Sequence, residues 1–496
     1  MNNKTSSTSG SCRVLLATGP LVPLLLLLSL FLPTAVYGEE AADELTYRAG
    51  AASIDVTPPA IGTSLALRPA RSTGVAEPLF ARALVLEGDS PASGSQDNNS
   101  AKGKKVRVAI ITNDFCGFDL PFNDRLLKAI SAATGIPPSH IMINCSHNHS
   151  APFIGDWAPP ADVGPQPWHD ELVEKFVTVT KQAADSLRPA RLRIHREPTQ
   201  LGMNRRLKHN GDVIMSTNPH GSNLPWTDVL SVEVPKVERV AVLFTYGAHP
   251  VIVQRASTLI GGDYPGYTIK RLEAMAKAGG TGGVFMFGQG ASGDINAFPL
   301  AGGMQAADIA GRDLSYAVLR AIRAPGHVLK SNDLRVAATE VQLPLQDPPP
   351  VDQIKSRIAY TKDEKRKRWL EGLLAMAENP DKESPAKSLR YPISAFAFGN
   401  ELCIVALPHE TFSYYTHFTE TVSPFANNLV LGYTNGVNGY VATKRDYLLG
   451  AAGGYEASPL GSAINYTTRL APNPESQAII EQGIRTVLDQ VDGQKK

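Results

Sequence analysis

The sequence predicts an α/β protein of mixed β-sheets with flanking helices, forming one domain over residues 39–496 behind a leader at 1–38. Three observations carry that reading. Short apolar runs of period two interleave with longer stretches of helical period along the chain. No Pro/Gly-rich linker is long enough to divide the chain into separate halves, and no fixed-period repeat is visible. The composition, 43% apolar and 19% charged, is an ordinary globular balance.

Taken in order, Lys4 and Arg13 precede an apolar run at 14–32, followed by small residues Ala35 and Gly38 and then Glu39-Glu40. A basic start, apolar run and small-residue exit read as a secretory signal cut after Gly38, so the expectation is an exported protein, secreted or periplasmic. The rival is an uncleaved anchor, since 14–36 nearly spans a bilayer; Pro20 and Pro23 count against a continuous membrane helix. Strands are predicted at 47–56, 81–87, 106–113 and 141–144, with a Ser/Asn/Gly/Lys-rich surface loop at 90–105. Helical periodicity covers 123–134 and 171–186, the latter with Leu172, Phe176 and Val179 on one stripe.

Paired strands follow at 229–234 and 240–246, then a helix at 267–278, a strand at 284–287 and a helix at 306–322. A strand at 334–343, a hairpin at 395–398 and 402–406 across Gly399-Asn400, a strand at 429–433 and a closing helix at 475–490 complete the series. The charged stretch at 354–376 reads as a surface helix, with a lid as the alternative.

The charges nearly cancel, at 48 Lys+Arg against 47 Asp+Glu, and no long block of one sign occurs. That excludes the electrostatic footprint of a nucleic-acid binder and of bulk attraction to anionic membranes. The expected partner is a small-molecule or lipid substrate, met by transient contact with a membrane surface. Cys12 would leave with the leader; Cys116, Cys145 and Cys403 form an odd set without Cys-x-x-Cys spacing. They read as small buried apolar residues, with one bridge left open, and a thiolate zinc site is not expected.

Zinc sites built from nitrogen and oxygen ligands leave scattered His, Glu and Tyr at strand ends, with one position open for the water that the metal acidifies. Asn144-Cys145-Ser146-His147-Asn148-His149-Ser150 follows a strand, and if the chain stays extended His147 and His149 face one side. His249 ends an apolar strand, Glu410 follows another, and Tyr440 and Tyr455 lie in glycine-flanked segments. Each also has an ordinary reading: a solvated histidine pair, a satisfied buried histidine, a carboxylate at a helix start, packed tyrosines.

The order of the pieces adds to them. Asp55-Val56-Thr57-Pro58-Pro59, Ser146-His147-Asn148-His149-Ser150, Asn204-Arg205, Ala248-His249-Pro250, Gly293-Asp294-Ile295-Asn296, Glu410 and Gly439-Tyr440-Val441-Ala442-Thr443 form a series that resembles the neutral/alkaline, non-lysosomal ceramidase family, over its N-terminal catalytic domain. The Ser-His-x-His-Ser cluster and the paired Tyr-Val-x-Thr and Tyr-Glu-x-Ser segments are its most specific parts. The resemblance implies a Zn²⁺-dependent hydrolase of linear amide bonds, cleaving ceramide or a related N-acylated lipid of sphingolipid metabolism. By matching position it implies His147, His249, Glu410 and Tyr440 as zinc ligands. It implies His149 as a proton-transfer or oxyanion-binding group, Arg205 at the polar head of the substrate, and Tyr455 as a second tyrosine beside the site.

The sequence departs from the family at three places. Gly-Asp-Val-Ser-Pro is replaced by Gly293-Asp294-Ile295-Asn296-Ala297, so Asn296 stands where the family has its active-site serine. Ser292 lies close, but Gly290-Ala291-Ser292-Gly293-Asp294 lacks the last glycine of a nucleophile elbow and reads as a Gly-rich turn. The wording Gly261-Gly262-Asp263-Tyr264-Pro265-Gly266 differs from the family's, and the chain ends with no room for the family's C-terminal β-sandwich. The readings beside a ceramidase are an exported zinc hydrolase of another amide or ester, and a lipid- or glycan-binding protein that keeps the fold without catalysis.

Overall fold

Strand Phe80–Asp89 shows how the molecule is layered. Its side chains alternate between two cores, Ala81, Ala83 and Val85 facing one and Leu84 and Leu86 the other. It belongs to a nine-stranded sheet, in which it lies antiparallel between Tyr47–Asp55 and Lys105–Asn113. Beyond Tyr47–Asp55 come Arg188–Pro198, Trp226–Val234, Glu238–Tyr246 and Val284–Gln289; beyond Lys105–Asn113 comes Ile141–Cys145. His327–Val328 pairs with Arg188–Pro198 off this path. The structure is a computed structural model and describes residues 47–66, 70–90, 104–155, 166–234, 238–362, 364–379, 387–459 and 470–493. The leader at 1–38 and most of the loop at 90–105 lie outside the described residues.

One face of the large sheet packs on a second sheet of four strands, ordered Leu334–Pro344, Ser388–Phe398, Leu402–Ala406 and Asn427–Leu431. Leu192, Leu230, Leu243 and Met286 meet Phe396, Ile404 and Leu431 there in a fully apolar layer. The other face is covered by helices: Leu120–Thr134 and Pro167–Asp185 over one half, Asp263–Ala278 and Met304–Arg323 over the other. Helix Ser476–Val491 covers the outer face of the small sheet through Ile480, Ile484, Val487 and Leu488. The layers therefore run helix, sheet, sheet, helix, the mixed α/β architecture that the periodicities predict. Among the described residues no helix is long and apolar enough to cross a membrane.

Three parallel pairs set up the functional region. Lys105–Asn113 runs parallel to Ile141–Cys145, Glu238–Tyr246 to Val284–Gln289, and Leu402–Ala406 to Asn427–Leu431. Ligands of open α/β sheets gather at the carboxyl ends of parallel strands. Here the segments leaving those ends carry Cys116, His147, His249, Ser292, Glu410 and Tyr433. Buried Asn144 fastens the two terminal strands of the large sheet to each other. Its Nδ2 donates to the Gln289 carbonyl at 3.1 Å and the Gly432 carbonyl at 2.7 Å, and its Oδ1 accepts from the Gln289 N–H at 2.8 Å.

Three expectations are corrected. Arg188–Pro198 is a central strand where the sequence predicts no element; Arg191 and Arg193 alternate with inward Leu192 and Ile194 and mask its apolar face. The stretch at 354–376 is two helices, Val351–Tyr360 and Glu364–Glu378, and Ile354 and Leu373 bury themselves against Leu470 rather than facing solvent. The strand expected to run to Tyr433 stops at Leu431, because Tyr433 turns to φ +48°.

Candidate metal centre

His147 follows strand Ile141–Cys145 but is not extended, having φ +60°. The expectation that period-two alternation aligns His147 with His149 is thereby replaced: a left-handed turn brings the two rings together, their centroids 5.2 Å apart. The His147 Nδ1–H donates to the Cys116 carbonyl at 2.7 Å, which turns Nε2 toward Glu410, 3.2 Å from its Oε2. His249 is oriented in the same manner. Its Nδ1 lies 2.9 Å from the Ser292 carbonyl and 3.1 Å from that of Ile295, and its Nε2 is 2.8 Å from the same Glu410 oxygen. A backbone acceptor at Nδ1 fixes both the tautomer and the plane of an imidazole, as metal-binding histidines require.

Glu410 sits on a two-residue strand parallel to Tyr440–Val441, with Glu410 directly opposite Tyr440. The turn at Gly293 presses on it so closely that a Cβ there would lie 2.3 Å from the Glu410 carbonyl oxygen; only glycine fits. Ligand atoms of His147, His249 and Glu410 all lie within 4.8 Å of one another, and all three side chains are fully buried. These three residues could hold a metal ion. Imidazole and carboxylate donors, with a phenol from the adjacent strand and no thiolate among them, form a set suited to a borderline divalent ion. A second group, Cys116, His147 and His149, shares His147. Cys116, expected only as packing, does more than that: its carbonyl orients His147, and its Sγ lies 3.8 Å from the His147 Nδ1.

Electrostatics keep the donors in ligand form. Burial, with Arg205 nearby, lowers His249 from an ordinary 6.5 to about 3. Burial and the neighbouring His147 hold His149 well below its usual range. Burial alone would raise the Glu410 carboxyl, but His147 and His249 outweigh it and the net direction is strongly down.

The remaining predicted residues form a polar wall. Arg205 is buried and donates to the Glu456 carboxylate at 3.2 Å, to Asn296 Oδ1 at 2.9 Å and to the Gly293 carbonyl at 2.7 Å. Its guanidinium lies 5.5 Å from each of the Tyr440 and Tyr455 ring centres. Those tyrosines meet edge to face, their hydroxyls 3.5 Å apart. Burial would lower the Arg205 pKa, but Tyr455, Tyr440, Glu456 and Glu410 raise it well above its ordinary value. Asn296 pairs in parallel with His249 and opposite Met203, placing it at the edge of the metal group. The fold therefore gathers all eight predicted residues into one region.

Tyr433 is a part of the site that no motif reveals, and Ser292 and Glu456, which lie inside the Gly-rich turn and the Tyr-Glu-x-Ser segment, are parts with no expected role. Ser292 is fully buried, and its Oγ donates to the Tyr433 hydroxyl at 3.3 Å. Glu456 binds both Arg205 and Arg206. The available signal is its place beside Tyr455, with two adjacent arginines elsewhere in the chain.

No protein-family model matches this chain, and no curated protein does. Among the solved structures similar to this chain are two ceramidases. A neutral ceramidase from Pseudomonas aeruginosa superposes with a TM-score of 0.66 at 19% identity, covering 90% of this chain and 75% of its own. A ceramidase complexed with C2 gives 0.67 at 17% identity, with the same coverage. At these identities the likeness establishes the fold, and the fold expected from the ordered motifs is the one observed.

Proposed function

We propose that the chain is an exported zinc-dependent hydrolase of N-acylated substrates, of the ceramidase type. The observation that supports it most is the convergence of His147, His249 and Glu410 from three strand ends, with both Nε2 atoms turned onto one carboxylate oxygen. Tyr440, opposite Glu410 in the strand register, is the proposed fourth ligand. Zinc held there would supply Lewis-acid polarisation of a carbonyl and activation of water. His149, its ring 5.2 Å from that of His147, is the group given the transfer of the proton that amide cleavage moves to the leaving amine. Arg205 and Tyr455 hold the polar part of the substrate.

Asn296 sharpens the reading. A guanidinium only donates, so the amide oxygen must face Arg205, and the amide nitrogen is left as a donor. A group so oriented can bind a carbonyl oxygen but cannot form an acyl-enzyme. We therefore place the better substrates among smaller or more polar acylated compounds than long-chain ceramide. The test is a panel of N-acyl lipids, acyl sugars and acyl peptides, assayed before and after chelation and after zinc is restored. Chelator-sensitive amide hydrolysis supports the reading. No hydrolysis and no bound metal would favour the binding-protein alternative, and robust long-chain ceramide hydrolysis unaffected by Asn296→Ala would remove the role given to Asn296.

A further inference from the structure

Three non-glycine residues bordering the metal group have left-handed backbones: His147 at φ +60°, His409 at +62° and Tyr433 at +48°. Such a conformation is costly for a bulky residue and persists where its surroundings enforce it. Tyr433 touches all three segments that carry the candidate ligands. Its N–H donates to the carbonyl of His409, the residue before Glu410, at 3.2 Å. Its carbonyl accepts from the Cys145 N–H, two residues before His147, also at 3.2 Å. Its ring lies against the His147 ring, centroids 4.4 Å apart and tilted 31°.

The Tyr433 hydroxyl completes the set. It lies 3.5 Å from Nδ1 and 3.4 Å from Nε2 of His249, with the ring planes at 88°. Near-equal distances to both nitrogens put the oxygen over the imidazole, so the in-plane bond of Nδ1 to backbone is undisturbed. The hydroxyl is itself held by Ser292 Oγ, which accepts from Gln289 Nε2 at 2.7 Å. Tyr433 is wholly buried.

We infer that Tyr433 is a positioning residue: it sets the spacing and ring planes of His147 and His249 against Glu410, and Ser292 with Gln289 fixes its hydroxyl. This rests on the reading of those three residues as metal ligands. The test compares the wild-type chain with Tyr433→Leu, Tyr433→Phe, Ser292→Ala and the Tyr433→Phe/Ser292→Ala double variant. Zinc affinity is measured by competition with a chromophoric chelator, and ligand geometry by the absorption spectrum of the cobalt-loaded protein.

Loss of the ring is expected to weaken zinc binding about 10–100-fold and to shift the cobalt bands, the range typical of residues that orient ligands. Tyr433→Phe and Ser292→Ala should each weaken it less, and the double variant no more than the worse of the two, because both act through one hydroxyl. Should Tyr433→Leu fail to fold, the other three variants decide. Affinities and cobalt spectra matching wild type in all folded variants would overturn the inference alone. A wild-type chain that binds no metal would remove the metal reading and this inference together.

Discussion

The two sides of the site are held by different means. On the metal side, the Nδ1 atoms of His147 and His249 are held by main-chain carbonyls of Cys116, Ser292 and Ile295, with the Tyr433 side chain set against both rings. On the polar side, Arg205 is fixed mainly by side chains, the Glu456 carboxylate and the Asn296 amide. Backbone acceptors survive substitution at their own positions, whereas side-chain partners do not. The difference teaches which side is bound to the architecture and which is open to change. The candidate ligand set is written into the strand ends, while the polar partners can be changed one residue at a time.

The comparison can be broken at either side. The largest effect is expected for His147→Ala or Glu410→Ala, which should abolish stoichiometric zinc by elemental analysis and hydrolysis with it. Asn296→Ala should keep its zinc and lose about 10²–10³-fold in turnover, the size of a lost oxyanion donor. If that variant also lost zinc, the two sides would not be separable. Glu456→Ala leaves Arg205 with only neutral hydrogen-bond partners and Arg206 with Asp446 as its remaining carboxylate, and should cost about 3–5 kcal/mol in denaturant unfolding. Glu456→Gln should recover some of it, and no loss of stability would show that the polar side has other support.

The smallest effect is in acid. His249 titrates near 3 when folded but near 6.5 in an open chain, so between those values the unfolded state binds more protons. Stability of the metal-free protein should thus fall as pH drops through that window. The lowered Glu410 pKa acts in the same sense, its contribution vanishing as pH falls through the folded value. Melting temperatures against pH should show a shallower slope for His249→Gln, and equal slopes would contradict the assignment.

Most of the layered fold was legible because its strands and helices announce themselves by period. Leu84 and Leu86 alternate with Ala83 and Val85, and Ile480, Ile484, Val487 and Leu488 keep a helical stripe. Arg188–Pro198 escaped because its outward positions carry arginine, which reads locally as surface even though the strand lies mid-sheet. The site was legible as a set of residue types in order, and the structure gathers that set. Its geometry was not. His147 reaches its place through a left-handed turn that an extended reading does not contain. Tyr433 carries no motif, and only the meeting of three strand ends reveals what it touches.

Asn144 has a kinetic consequence. Its bonds close loops of 145 and 288 residues, to Gln289 and Gly432. Contacts so distant in the chain are costly to search for and are made slowly. The half-site around His147 exists only as a fragment until synthesis has passed residue 432, and Glu410 and His249 join it no sooner than the strands that carry them. A metal taken up by His147, His249 and Glu410 would therefore arrive late in the life of each molecule, and its uptake would report that the last long-range pairings have been made.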